Sequence, residues 1–397
     1  MTTKDNLFVN LKAYYESQKK NIYDIVPLTI VVDYQKEEVC DRMEQFFNVF
    51  KIIDKNINSD YESINQKIQE TQLAKEKSVK TPYKISRCCH DNQNLWMLKP
   101  TGFNRGIGIH IFQSFEQLRE IMSQYYGIGR GAKDKASIFH VHNHHHLARE
   151  YMDQNEQALQ NFTFVIQKLI EKPMLYLRRK FDVRMWALIN SFDGRVYVYR
   201  ECYVRTSSKQ YEGYDPNASS HEQIYMQLTN NAIQKNGQEY GKFEEGNIVS
   251  TDTLFDFISS QPEGKGRTKR DLESSFKAQT REIIKDTMKA IRGKIQQQRY
   301  TFELLGYDFI IDQDLNTVLI EVNDNPCLEE SNQLLRCLLP RMLDDMLAIV
   351  MDPIFNFSEA YSYKSNFSLP GSLFTVDQQD DSLDPHQGYK DTENLWD

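Results

Sequence analysis

The stretch GYDFIIDQDLNTVLIEVN, residues 306–323, carries the strongest structural signal in the chain. Two apolar runs flank a polar segment, which predicts two antiparallel strands joined by a tight turn. Counting outward from a turn centre between residues 314 and 315 places Asp308 opposite Glu321. Directly opposed residues share one side of a sheet, and Asn323 lies two residues beyond Glu321 on that side. The hairpin is therefore predicted to gather three oxygen-bearing side chains at its open end.

These three side chains are the candidate metal ligands of the chain. Two carboxylates held this close repel each other unless a proton or a cation lies between them. An all-oxygen set that leaves room for water and phosphate oxygens suits Mg²⁺. The alternative is that Asp308 and Glu321 meet only solvent at a strand edge, but both have apolar neighbours in the sequence. The same count pairs Ile310 with Leu319.

Composition and charge restrict the class of protein. The 397 residues are 40% apolar and 26% charged, which is typical of a water-soluble protein of two or three domains. No run of about 18 uncharged apolar residues occurs, so no membrane span is expected. Six cysteines without CxxC spacing indicate free thiols in a reducing compartment, the cytoplasm.

The C-terminal segment, residues 353–397, is unlike the rest. It holds eight acidic residues and two lysines, so most of the net charge of −8 lies there. Its Pro-, Asp- and Gln-rich composition predicts disorder. Its acidity argues against nucleic acid as a partner.

Strand and helix patterns are interspersed along the chain. Apolar runs predict strands over 26–34, 94–100, 106–112 and 162–170, and helical spacing predicts helices over 36–53, 271–295 and 331–350. Strand pairs with intervening helices, rather than regular βαβ units, predict an α+β fold. The predicted divisions are an N-terminal α/β domain with a polar insertion (1–90), a central lobe (91–172), a C-terminal lobe (173–352) and the tail (353–397).

The stretch FDVRMWALIN, residues 181–190, alternates with period two. Asp182, Arg184 and Trp186 face one way as a predicted strand, and Lys180 precedes them on the same side. A row of alternating charge is either a self-paired sheet face or a surface that grips phosphate and carboxylate groups. Arg205, in the following strand pattern over 196–208, is a further candidate for carboxylate binding.

Two other segments attract attention. The stretch KPTGFNRGIGI, residues 99–109, offers Lys99, Arg105 and glycines such as Gly106 that let a backbone approach an anion; a plain hairpin turn is the alternative. The histidine cluster HVHNHHH, residues 140–146, matches no structural zinc spacing, and we interpret it as a loop.

Six segments together resemble the tubulin tyrosine ligase-like family of ATP-grasp enzymes. They are LWMLKPTGFNRGIGIHIF, VIQKLIEKPMLYLRRKFDVRMWALI, YRECYVRTSS, MQLTNNAIQK, YGKFEEGN and LLGYDFIIDQDLNTVLIEVNDNP. They occur in the order typical of that family and span about residues 95–340. The resemblance implies an ATP-grasp fold, with ATP and Mg²⁺ bound between two α+β lobes.

The resemblance also implies roles for individual residues. The residues implied to bind ATP are Lys99, Arg105, Gly106, Gln167, Lys168, Leu169, Ile170, Lys180, Asp182, Thr229 and Asn230. Lys180, Arg184 and Arg205 are implied in catalysis, with Arg205 on the carboxylate of an incoming amino acid. Asp308, Glu321 and Asn323 are the implied Mg²⁺ ligands.

The implied reaction is ATP-dependent amide formation between a carboxylate on tubulin and a free amino acid, through an acyl phosphate. The segment LTNNAIQK favours a glutamate-adding enzyme, a tubulin polyglutamylase, although many such members read HLTNYS where this chain has QLTNNA. The alternatives are a tubulin glycylase, a tyrosine ligase, a glutamylase of another acidic protein, a small-molecule carboxylate–amine ligase and a non-catalytic tubulin-binding scaffold. Because the chain ends acidic, docking on microtubules is expected to need a partner subunit. The expected location is the cytoskeleton, including the axoneme or basal body of cilia.

Overall fold

A computed structural model describes residues 3–33, 36–75, 80–101, 106, 108–126, 163–191, 193–215, 220–295, 298, 300–355 and 389–394. Within them, helices and antiparallel sheets are interspersed, which confirms the α+β prediction. No helix of this described part is long and apolar enough to cross a bilayer. All six cysteines are free thiols.

The first sheet has four antiparallel strands, in the order β1-β4-β2-β3. They are β1 (Thr29–Asp33), β2 (Trp96–Pro100), β3 (His110–Phe112) and β4 (Thr163–Lys168). The helices of this part are α1 (Lys4–Ser17), α2 (Val39–Lys55), α3 (Tyr61–Lys75) and α4 (Phe115–Tyr126). All four predicted strands are present. Since β1 pairs with β4, the division predicted at residue 90 does not separate two sheets.

The second sheet has eight strands and is built around the long strand β6. Its members are β5 (Leu175–Tyr176), β6 (Arg179–Asn190), β7 (Arg195–Tyr199), β8 (Tyr203–Gln210), β9 (Ile248–Ser250), β10 (Phe302–Ile311), β11 (Thr317–Asn323) and β12 (Tyr389–Asn394). Strand β10 pairs with β6 along one edge, and β7 and β8 pair with successive parts of the other edge. The sequence predicted one strand over 196–208; the structure interrupts it at residues 200–202.

The hairpin β10–β11 forms as predicted, but its register differs near the turn. Ile310 pairs with Val318, not with Leu319, because the turn is one residue shorter than the count assumed. A β-bulge between Asp308 and Phe309 then shifts the register by one residue. Asp308 therefore lies opposite Glu321, as predicted.

Strand β6 presents two different faces, and its predicted alternation is confirmed. Val183, Met185 and Ala187 belong to the main core, which also includes residues of α8 (Lys269–Ile291). Trp186 and Leu188 face a second core with α9 (Gln333–Phe355). Three shorter helices, α5 (Ser220–Gln227), α6 (Asn231–Gln234) and α7 (Thr251–Ser260), precede α8.

The strand β12 lies in the segment for which the sequence predicts disorder. Five of its six residues pair antiparallel with β7, which would form the edge of the sheet without β12. An edge strand offers unpaired backbone groups that a polar segment can satisfy without a hydrophobic side chain. The composition of the segment gives no information about this backbone pairing.

Candidate active site

A cleft between the two sheets brings together most of the predicted site residues. The first sheet contributes Lys99 and Gln167, and the second contributes Lys180, Asp182, Asp308 and Glu321. The segment after α5 closes one side. The remaining lining residues are Pro27, Met97, Ile109, Lys168, Leu169, Ile170, Gln227, Leu228, Thr229, Asn230, Ile310 and Ile320.

Two buried lysines supply positive charge to the cleft. Lys99 Nζ donates to Gln167 Oε1 over 2.6 Å, and Lys180 Nζ donates to Gln227 Oε1 over 2.6 Å. Burial lowers the pKa of Lys99 to about 8 and that of Lys180 to about 7. Their direct acceptors are neutral, so both ammonium groups are poorly compensated until an anion enters the cleft.

Beneath the cleft, acidic and basic side chains alternate across three strands. Arg184 binds both carboxylate oxygens of Asp308, and Arg205 bridges from Asp182 to Asp308, with 2.8 Å to Asp308 Oδ2. Thr229 Oγ1 donates to Asp182 Oδ2 over 2.7 Å. Burial opposes the charge of Asp308, but the two arginines outweigh it and hold its pKa well below the usual range. Asp182 and Arg184 of the predicted charge row thus pair with side chains of other strands, not with each other.

Glu321 and Asn323 complete the group at the open end of the hairpin. Asn323 Nδ2 lies 3.4 Å from both Asp308 Oδ2 and Glu321 Oε1. Burial and the charge of Asp308 raise the pKa of Glu321. The described residues include no group of three or more His, Cys, Asp and Glu that could hold a metal. The Glu321 carboxylate and the Asn323 amide, turned to present its oxygen, fit Mg²⁺, and Asp308 would share its oxygens between that cation and the two arginines.

Part of the cleft lining is apolar. Met97, Ile109 and Leu228 belong to one small hydrophobic cluster, and Ile310 and Ile320 also line the cleft. An apolar slot beside two cations is suited to a ligand with a flat ring and an anionic tail. Gly106 closes against this region, since a Cβ there would lie 2.3 Å from Ile233 Cδ1.

The sequence pattern of the "Tubulin-tyrosine ligase family" matches residues 1–359. The chain belongs to this family. Curated relatives include tubulin glycylase 3D of Tetrahymena thermophila, 29% identical over 263 residues, which are 65% of this chain and 21% of that protein. Tubulin glycylase 3B of Drosophila melanogaster is 28% identical over 270 residues, 66% of this chain and 29% of that protein. The aligned region thus covers less than a third of these longer relatives.

In this tubulin-tyrosine ligase family member, some implied residues are engaged elsewhere. Lys168 Nζ is buried in an ion pair with Glu171 and also donates to the Leu95 carbonyl over 3.0 Å, so its ammonium does not face the cleft. Arg184 and Arg205 are bound to protein carboxylates rather than lining the cleft. Arg105 and the histidine cluster 140–146 lie outside the described residues.

The sequence interpretation missed two features of the family member's cleft. Gln227 appeared only as a departure from a motif, and the structure places its amide on Lys180. The apolar wall formed by Met97, Ile109 and Leu228 was not anticipated either. These residues come from three separated segments, and the apolar character of each is equally consistent with ordinary core packing.

Proposed function

We propose that the chain is an ATP-dependent ligase that joins a carboxylate on tubulin to the amino group of a free amino acid. The observation that carries the proposal is the convergence of Lys99, Lys180, Asp308 and Glu321 on one cleft between two sheets. Family membership supports the ligase class, and an ATP-grasp arrangement agrees with a ligand cleft between two sheets.

The residues of the chain have distinct tasks in this proposal. The apolar slot receives the adenine ring, and the ammonium groups of Lys99 and Lys180 meet the phosphates. Asp308, Glu321 and Asn323 would hold Mg²⁺, which would neutralise charge on the phosphate oxygens. The substrate carboxylate attacks the γ-phosphorus and ADP leaves. The amine of the amino acid then attacks the acyl phosphate and releases phosphate. Both attacking groups belong to the substrates, so the protein positions them and supplies no nucleophilic side chain.

Glycine is the proposed amino acid. The sequence favoured a glutamate-adding enzyme and kept a glycylase as the alternative. The relatives are named as tubulin glycylases, which supports that alternative and gives no support to polyglutamylation. Because these relatives are named for acting on tubulin, they also favour a cytoskeletal location in the cytoplasm. A location in cilia is part of the same proposal.

Parallel incubations test both parts of the proposal. Tubulin, ATP and Mg²⁺ are combined with glycine, glutamate or tyrosine, and the mass of the tubulin tails is measured. A shift with glycine that requires ATP supports the proposal, and the variant Lys180→Ala should abolish it. A shift with glutamate alone would restore the polyglutamylase assignment. ADP release with amino acid but without any protein acceptor would favour a small-molecule ligase.

Docking on the polymer is a separate part of the proposal. The body of the chain is nearly neutral and its C-terminal segment is acidic. The proposed substrate carboxylates on tubulin carry the same negative charge. Like charges weaken encounter at low ionic strength, so a partner subunit is needed for stable docking. In a co-pelleting assay the lone chain should stay in the supernatant. Strong, salt-sensitive sedimentation with microtubules would remove the need for a partner.

A further inference from the structure

Among the described residues, the hydrogen-bond acceptors of the Lys180 ammonium group are all neutral. Its Nζ donates to the Ile170 carbonyl over 3.1 Å and to Gln227 Oε1 over 2.6 Å. It also lies 4.8 Å from the centroid of the Tyr211 ring. The side chain is only 3% exposed, so water does not replace a missing counter-ion. Such an ammonium has its geometry fixed but its charge largely uncompensated.

Gln227 is itself fixed in place. It is the last residue of α5 and is 5% exposed, between the buried residues Met226 and Leu228. Its Oε1 accepts from Lys180 Nζ, and the amide also lies within hydrogen-bonding reach of the Tyr211 side chain. A buried amide with contacts on both sides is held in one position beside the lysine.

We propose that Gln227 is a positioning residue for Lys180, a neutral acceptor that aims the ammonium group into the cleft without neutralising it. A carboxylate at position 227 would neutralise the Lys180 ammonium group and so weaken its attraction for a phosphate. An apolar side chain would leave the ammonium misplaced and partly deprotonated. This inference rests on the proposed function in one respect, that the anion in the cleft is a nucleotide phosphate.

The other groups around Lys180 set the background for a titration. Burial is the largest influence on its pKa and lowers it. Glu171, Cys89 and Cys88 favour the charged form, and Lys99 opposes it. None of the four is the direct acceptor, so a change at Gln227 alters the nearest contact while these remain. A negative charge at the acceptor should raise the pKa of Lys180, and removal of the acceptor should lower it.

A titration of the free protein tests the inference without any ligand. Lysines labelled with ¹³C at Cε are followed by NMR between pH 5 and 11, and the Lys180 signal is assigned by its loss in Lys180→Arg. Gln227→Glu should move the titration upward by about one pH unit or more, and Gln227→Leu should move it downward. Gln167→Glu, the same change beside Lys99, is the matched control and should move Lys99 more than Lys180. Titrations of Lys180 that coincide in the parent and both Gln227 variants would overturn the inference.

Binding of Mg²⁺-ADP at pH 6 and pH 8 supplies a second readout. The protonated amine binds phosphate, so affinity falls as the pH rises through the Lys180 titration. Gln227→Leu should therefore lose about tenfold more affinity at pH 8 than at pH 6; an equal loss at both would contradict the positioning role. Should Gln227→Leu fail to fold, the nearly isosteric Gln227→Glu carries the titration alone. Shifted titrations without ADP binding in any variant would uphold the positioning of Lys180 and reject the proposed nucleotide function.

Discussion

Two carboxyl groups of the same hairpin have pKa values displaced in opposite directions. Asp308 is paired with Arg184 and Arg205 and stays charged, whereas burial and the charge of Asp308 raise the pKa of Glu321. Because folding lowers the pKa of Asp308, its ion pairs stabilise the fold above about pH 4 and lose that effect as the pH falls further. The two residues should therefore respond differently to neutralisation.

Asp308→Asn should lower the free energy of unfolding by about 3 kcal/mol at pH 7, because it leaves two buried guanidinium groups without their shared carboxylate. Glu321→Gln is the matched variant on the facing strand. It removes a charge that the fold disfavours, so stability should change little or rise. Both variants should lose ligase activity. Urea unfolding without added metal makes the comparison, and equal losses of stability would contradict the assigned pairing.

At the scale of elements, the contact between β10 and β6 depends on a glycine. Gly306 lies opposite Trp186 on β6 and Asn323 on β11. A Cβ there would lie 2.9 Å from Pro326 Cβ and 3.2 Å from an Arg184 guanidinium nitrogen. The Arg184 side chain can therefore cross the backbone of β10 only at a residue without a side chain, which is Gly306.

Gly306→Ala should cost about 1–3 kcal/mol of stability through overpacking and should lower activity roughly tenfold or more by displacing Arg184. Gly293→Ala is the control, since a Cβ there meets nothing within 4 Å. That variant should keep the stability and activity of the parent protein. Thermal unfolding and the tubulin mass-shift assay measure the two effects. An unchanged Gly306→Ala enzyme would show that this close approach does not matter.

For the whole molecule, the cleft lies where two sheets meet, so a ligand there contacts both. A ligand that binds only the folded state raises the free energy of unfolding by about 2.7 kcal/mol when its concentration is 100 times Kd. Mg²⁺-ATP should accordingly raise the melting temperature by a few degrees. Lys180→Ala, which removes a buried cation from the wall, should abolish most of that shift. A melting temperature that does not respond to Mg²⁺-ATP would favour the non-catalytic scaffold over the ligase.

The local strand and turn patterns of this protein follow from residues that are neighbours in the sequence. The period-two alternation of β6 and the apolar runs of the last hairpin fix strands and their faces, because these depend on residues close together in the chain. The count that placed Asp308 opposite Glu321 reached the right pair only because a bulge, which the pattern did not predict, offsets the shorter turn.

The compensation of the buried charges, in contrast, depends on how distant segments pack together. Asp308 is neutralised by arginines from two other strands, and Lys180 is held by Gln227, 47 residues away in the chain. The sequence motifs imply that Lys168 binds ATP, just as Lys180 does, yet the Lys168 ammonium group forms an ion pair with Glu171. Burial and pairing depend on the packing of distant segments, and the free energy of a charge is set by both.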